Sequence, residues 1–165
     1  HHHGENISKL ELFLQIPQEA HHNGNLVDLL TGYFDQSHSR ISKLPDNLLI
    51  RIKRLKNIKG IDRKICRKIS IPQDLSLKPF CCNNEIFDQT ETEFHLDAFI
   101  EHCGKCTDDG HYVLHFRESK RSGGSFITTT YWSISDEKIQ EINHEKFMEK
   151  AAQAYIFLYK RARQD

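Results

Sequence analysis

Gly110-His111-Tyr112 places a histidine at the start of an alternating stretch, just after a polar loop. An imidazole there can reach over a cleft while Tyr112 and Leu114 anchor its strand. It titrates near neutrality, so it can take a proton from a nucleophile and return it to a leaving amine. As a bare tripeptide the same residues also suit an ordinary strand-edge histidine. About twenty residues further on stands Tyr131-Trp132-Ser133-Ile134-Ser135-Asp136, at the expected end of the neighbouring strand. A histidine base needs a partner that fixes its tautomer and ring plane. Ser135 or Asp136 could accept the ring N–H, or could simply make a turn after a strand. The run His102-Cys103-Gly104-Lys105-Cys106 has a CxxC spacing that could supply half a zinc site, completed by His95 or His102. No second CxxC exists, and Cys66, Cys81 and Cys82 are irregularly spaced. Two loop thiols are therefore the simpler reading, and no metal or cofactor is expected.

These groups must be held by a folded scaffold. The 165 residues suit one domain or a large subdomain. Lys plus Arg equals Asp plus Glu at 23 each, so there is no net basic field to hold a nucleic-acid backbone. No apolar run of membrane-spanning length occurs. With 28% charged and 10% aromatic residues the chain is too aromatic and too neutral for a disordered tail. His1, His2 and His3 followed by Gly4 resemble the end of an affinity tag and are set aside. Five cysteines, an odd number without a regular framework, suggest a reducing intracellular compartment.

The periodicities predict the elements. Leu10 to Pro17 reads as a strand closed by a turn. Asn25 caps a helix whose stripe is Leu26, Leu29, Leu30 and Tyr33, with Asp28 three residues past the cap. Leu48 to Leu55 alternates with Leu48, Ile50 and Ile52 on one side. Lys56 to Arg63 is a hairpin connection, and Ile65, Arg67, Ile69 and Ile71 form the next strand, stopped by Pro72. Cys81 to Glu93 and Cys103 to Asp109 are polar loops. Phe94 to His102 alternates, with Phe94, Leu96, Ala98, Ile100 and His102 on one face. Tyr112, Leu114 and Phe116 are the apolar face of the next strand, and His111, Val113 and His115 its opposite face. Glu118 to Ser125 is a Gly-rich turn, Phe126 to Ile134 a strand, Asn143 to Ala152 a short helix and Ala154 to Lys160 a last strand. The order is α+β, with a mainly antiparallel sheet, one N-terminal helix and one late short helix.

Taken in order, these segments resemble the ubiquitin-specific protease family, the papain-like cysteine deubiquitinases. The resemblance rests on Leu44-Pro45-Asp46 to Lys53-Arg54-Leu55, on Lys68 to Phe80, and on Phe94 to Gly104 followed by Gly110-His111-Tyr112. It continues through Tyr131 to Ile139 and ends with Ala154-Tyr155-Ile156-Phe157-Leu158-Tyr159-Lys160-Arg161. It implies that His111 is the general base, that Ser135 stands at the third triad position, and that Asp136 is the acidic residue beside it. It implies that Tyr112, Trp132 and His102 border the substrate cleft, and that the two polar loops flank the ubiquitin tail. The family's cysteine motif, Gly-x-x-Asn-x-x-x-Thr-Cys, does not occur here. None of the five cysteines opens a helix behind Asn and Thr.

The resemblance therefore implies that residues 5–165 are the palm-like half of such a domain, with shortened fingers and without the thumb that carries the thiol. Its expected partners are ubiquitin or ubiquitin conjugates and the missing thumb. The fragment alone should not turn over substrate. The rival expectations are a non-catalytic ubiquitin-binding scaffold of the same fold, and a zinc-dependent adaptor built on Cys103 and Cys106.

Overall fold

Asn25 ends an extended run and begins a helix because its side chain satisfies an otherwise orphaned amide. Its Oδ1 accepts from the Asp28 backbone N–H at 2.8 Å. The computed structural model describes residues 7–16, 24–82, 87–104 and 110–162. Helix α1 (Leu26–Ser37) buries Leu26, Leu30 and Phe34 and stops at His38, which takes a left-handed conformation. It joins β1 (Ile7–Gln15) to β2 (Pro45–Lys53), and these two strands pair in parallel. The segment is thus a βαβ unit, and among the described residues the other strand pairs of this sheet are antiparallel.

A short hairpin follows, β3 (Leu55–Ile58) and β4 (Ile61–Lys64), turned by Lys59 and Gly60, both at positive φ. The remaining elements are β5 (Asp74–Ser76), β6 (Glu93–Cys103), β7 (His111–Ser122), β8 (Phe126–Ser135), β9 (Lys138–Ile142), α2 (His144–Ala151) and β10 (Ile156–Arg161). The main sheet runs β1-β2-β10-β6-β7-β8-β9, with β5 added to β6. The expected α+β architecture, mainly antiparallel with an early and a late helix, is borne out. Leu48, Ile50 and Ile52 point into the core as their alternation requires. Phe99 lies 4.8 Å from Phe147 of α2, ring centre to ring centre, so the late helix covers the middle of the sheet.

Four local expectations need correction. Ile65 to Ile71 is not a strand. Its alternation is real, since Ile69 and Ile71 are buried. But its amides go to scattered partners: Ile65 to Arg54 O, Ile69 to Ala152 O and Ser70 to Gly24 O. The buried Arg54 guanidinium organises this segment, donating to the carbonyls of Ala154, Ala152, Ile65 and Arg67 at 2.5–3.3 Å. Burial lowers its pKa to about 10, so it stays charged at neutral pH.

In β6 the inward face changes parity. Phe94 and Leu96 are buried, and so are Phe99 and Glu101. The register with β10 shifts between Leu158↔Ala98 and Tyr159↔Leu96, the mark of a β-bulge. The bulge turns Ile100 and His102 away from the core. In β7 the buried residues are Val113 and His115, whereas Tyr112 is 62% exposed. The reversal follows because β7 pairs beyond the bulge, where Glu101 stands opposite Val113. Finally, the charged turn shrinks to Gly123-Gly124-Ser125, with both glycines at positive φ, because the β7–β8 ladder runs out to Ser122↔Phe126. Strand β9 was not foreseen.

Candidate active site on the palm sheet

Strand β7 begins at His111, which pairs with Cys103, and continues with Tyr112 opposite His102. On its other side Val113 faces Ser135 and Leu114 faces Ile134. Since residues two apart share a face, His111, Val113 and Ser135 lie on one side of the sheet and Tyr112 on the other. His111 and Ser135 are diagonal neighbours on that side, a relation that puts backbone positions about 7–8 Å apart. Asp136 follows in the β8–β9 turn, left-handed at φ 53°. His111 and Asp136 are exposed and Ser135 is half-buried. No described hydrogen bond joins the three.

The glycine before His111 has a steric reason. A Cβ on Gly110 would come within 2.3 Å of Cys103 O and 2.6 Å of His102 Nε2. Only a residue without a side chain lets β7 start beside the His102 ring. The opposite face then holds an apolar cavity of about 250 Å³, lined by Lys53, Arg54, Leu55, Lys64, His102, Tyr112, Gln153 and Tyr155. The His102 and Tyr112 rings are 5.1 Å apart and the Tyr112 and Tyr155 rings 6.0 Å. Burial, with some help from Tyr112, raises the Tyr155 phenol above its usual range, so it stays a neutral donor. Lys64 Nζ donates to His102 O and, at 3.2 Å, to Gly104 O, strapping the β3–β4 hairpin to the end of β6.

Of the sequence-derived substrate contacts, the cavity unites His102 and Tyr112. Trp132 lies elsewhere: it sits opposite Phe116, half-buried, and does not line the cavity. Tyr155, Leu55 and Arg54 were not singled out as site residues. The signal for them lay in the Lys53-Arg54-Leu55 and Ala154-Tyr155 segments, which carried the family resemblance but were given no role in the site.

Behind β7 lies a second group that the sequence reading missed. His115 Nε2 is 3.0 Å from Glu101 Oε1, with Lys150 Nζ 3.7 Å from the same oxygen. Both side chains of the His–Glu pair are at least nine-tenths buried. Burial pushes the Glu101 carboxyl up, but His115 and Lys150 outweigh it and hold the carboxyl below the usual range.

Neither Cys103 nor Cys81 presents an activated thiol. Burial and then the Glu101 charge push Cys103 up, and burial and then Cys82 push Cys81 up. A nucleophile needs the reverse shift. Cys66, Cys81, Cys82 and Cys103 are free. Cys106 lies outside the described residues, as does most of the Cys103 to Asp109 loop and residues 83–86 of the other. Among the described residues no three His, Cys, Asp or Glu side chains gather as a metal site, and no helix is long and apolar enough to cross a membrane.

The chain is 31% identical over 122 residues to ubiquitin carboxyl-terminal hydrolase 21 of Arabidopsis thaliana, a match covering 74% of this chain and 15% of that protein. It is 27% identical over 124 residues to ubiquitin carboxyl-terminal hydrolase 10 of Saccharomyces cerevisiae, covering 75% and 14%. The chain thus spans about one seventh of the length of the curated relatives it matches. Its fold matches that of the SAGA Ubp8/Sgf11/Sus1/Sgf73 DUB module bound to ubiquitin aldehyde. There the TM-score is 0.69 at 22% identity, over 94% of this chain and 36% of the other. The Ubp8-Sgf11-Sgf73-Sus1 SAGA DUB module gives 0.67 at 24% identity, over 94% and 34%. The model of the family described as ubiquitin carboxyl-terminal hydrolase matches residues 6–159, and the chain belongs to that family.

Proposed function

We propose that this chain is the palm-side part of a deubiquitinating thiol protease, and that it supplies the general base for hydrolysis after the ubiquitin C-terminal Gly-Gly. The observation that carries the reading is the juxtaposition at the start of β7. His111 stands exposed on one face, and an apolar cavity walled by Tyr112, His102 and Tyr155 opens on the other. Residues 5–165 then form the palm-like unit, and the nucleophilic thiol comes from polypeptide outside this sequence. Free thiols at four described cysteines support a reducing intracellular compartment.

The chemistry follows from the groups present. The ubiquitin tail runs along the tyrosine-lined wall and crosses the end of the sheet before Gly110, where an extended glycine pair is narrow enough to pass and bring its last carbonyl to His111 on the other face. The external thiol attacks the glycine carbonyl as His111 takes its proton. The imidazolium returns that proton to the departing lysine amine, and a thioester remains. His111 then takes a proton from water, whose oxygen attacks the thioester and releases the glycine carboxylate and the thiol. Ser135 and Asp136, which make no described hydrogen bond to His111 in this chain, take up the ring N–H once the thiol-bearing segment and substrate are in place. A serine partner gives direction but little charge stabilisation of imidazolium.

The missing hydrogen bond between His111 and Ser135 or Asp136 favours one rival, a ubiquitin-binding module without catalysis, because the cavity is complete without them. Titration of isotope-labelled chain with ubiquitin, and with ubiquitin lacking its two last glycines, tests the shared step. Intact ubiquitin should shift Tyr112, Tyr155 and His102, and the truncated form should not. Equal shifts from both forms, or none at these residues, would remove the cavity from the mechanism.

A further inference from the structure

Beyond Phe116 the β7–β8 hairpin leaves the sheet. Strand β6 pairs with β7 only as far as Ala98↔Phe116, and β9 pairs with β8 only from Tyr131 to Ser135. The β7–β8 ladder nevertheless continues from Arg117↔Tyr131 to Ser122↔Phe126. Each strand of this ribbon therefore has an edge whose alternate N–H and C=O groups meet no other strand among the described residues. An exposed edge of that kind is a template for further pairing unless charge, proline or a bulge protects it.

The two edges differ. The β7 edge carries Arg117, Glu118, Lys120 and Arg121, with Lys120 Nζ 2.7 Å from Glu118. The β8 edge, Phe126-Ile127-Thr128-Thr129-Thr130, has no charge and no proline, and all its residues favour strands. Phe126 is 78% exposed and Ile127 59%. The outer strands of the sheet are guarded by charge, β1 by Lys9 and Glu11 and β9 by Lys138 and Glu141. Residues 126–130 are the unguarded exception.

We propose that this edge pairs with itself: two copies of the chain join antiparallel about a twofold axis near Thr128, making one continuous sheet. An antiparallel edge presents donors and acceptors in matched alternation, so its own twofold copy satisfies them. A twofold axis brings a strand's own charges together, and here there are none to oppose one another. Phe126 and Ile127 of one copy then lie across from Thr130 and Thr129 of the other, covering the two most exposed apolar side chains of the ribbon. The β7 edge, with three cations in five residues, could not repeat itself in this way. The shared segment is only about 17 Å long. The contact therefore falls short of the ~1,200 Å² typical of stable complexes and is weak and reversible.

Sedimentation equilibrium of the chain over a wide concentration range tests the proposal, with hydrogen exchange reporting which amides change. A reversible monomer–dimer equilibrium is expected, with protection of 126–130 amides rising with concentration. Thr129→Lys and Thr129→Glu each place like charges beside the axis; within the ribbon this position faces Ser119, whose hydroxyl meets Thr129 Oγ1 at 3.2 Å, and shares a surface pocket with Arg117. Each should be monomeric, with an unfolding midpoint close to that of Thr129→Val, which loses the same Ser119 contact but stays dimeric, and an equimolar mixture of the two charged variants should recover the dimer. A chain that stays monomeric at all concentrations would overturn the proposal. So would self-association that both charged variants leave unchanged, or protection gained at a different edge.

Discussion

Gly110→Ala isolates the packing that starts β7. The added methyl carbon would stand 2.3 Å from the Cys103 carbonyl oxygen, about 0.7 Å inside the 3.0 Å limit that such carbons keep. It would also sit 2.6–2.7 Å from two atoms of the His102 ring. The ring can rotate away, but the carbonyl belongs to the backbone of the Cys103↔His111 pair and moves only if the ladder shifts with it. Overpacking of this kind costs about 1–3 kcal/mol. The expected result is a loss of that size in unfolding free energy, read as a lowered urea midpoint, with displaced chemical shifts at His102 and Tyr112. Gly32→Ala is the control. Gly32 lies within α1 with nothing near its Cβ position, so the same change should stabilise by up to about 1 kcal/mol. If Gly110→Ala were as harmless as Gly32→Ala and left His102 unmoved, the argument that the glycine seats β7 against that ring would fail.

Glu101→Ala removes one member of a buried charged group and should cost about 3–5 kcal/mol, read from denaturant unfolding at pH 7. Because the folded state holds the Glu101 carboxyl below its usual range, its stabilisation is present above that range and fades as pH falls through the lowered value. Stability against pH from neutral down to 3 should therefore show a flatter acid limb in Glu101→Gln than in the parent chain. Arg54→Ala leaves the carbonyls of Ala154, Ile65 and Arg67 without their shared donor, while Ala152 O keeps the Ile69 N–H. At about 1–3 kcal/mol for each buried acceptor left unpaired, partly relieved by entering water, a loss of at least 3 kcal/mol is expected in thermal or denaturant melts. Tyr155→Ala enlarges the cavity and should weaken ubiquitin binding at least tenfold by titration calorimetry, with the fold retained. An unchanged affinity would place the tail elsewhere.

Much of the fold was legible in the sequence because local signals agreed with one another. Asn25 and Asp28 announced α1, Asn143 announced α2, and alternation placed Leu48, Ile50 and Ile52 inward. The failures share one cause, that periodicity says which residues alternate and not what they alternate against. Ile65 to Ile71 has a strand's pattern, but a buried guanidinium takes its carbonyls. A bulge at Asp97, set by pairing with β10, reverses the faces of β6 and β7, so Tyr112 turns outward and His115 inward. For the site, motif order put His111, Ser135 and Asp136 within one neighbourhood, which the ladder register accommodates. Tyr155 joined the cavity only through the return of β10 beside β6, a long-range contact with no local signature. Glu101 and His115 fall on the faces opposite the apolar ones in the sequence pattern, and only the bulge turns them inward.

The most direct measurement concerns His111 in a polypeptide that joins this chain to a cysteine-bearing segment of its family. That polypeptide is treated with ubiquitin carrying an electrophile at its C-terminus, and adducts are mapped by mass spectrometry. The chain alone should give no adduct, the joined polypeptide should be labelled at the family cysteine, and His111→Ala should abolish labelling while ubiquitin binding persists. Labelling of Cys103 or Cys106 in the chain alone, or full labelling of the His111→Ala form, would contradict the role given to this imidazole.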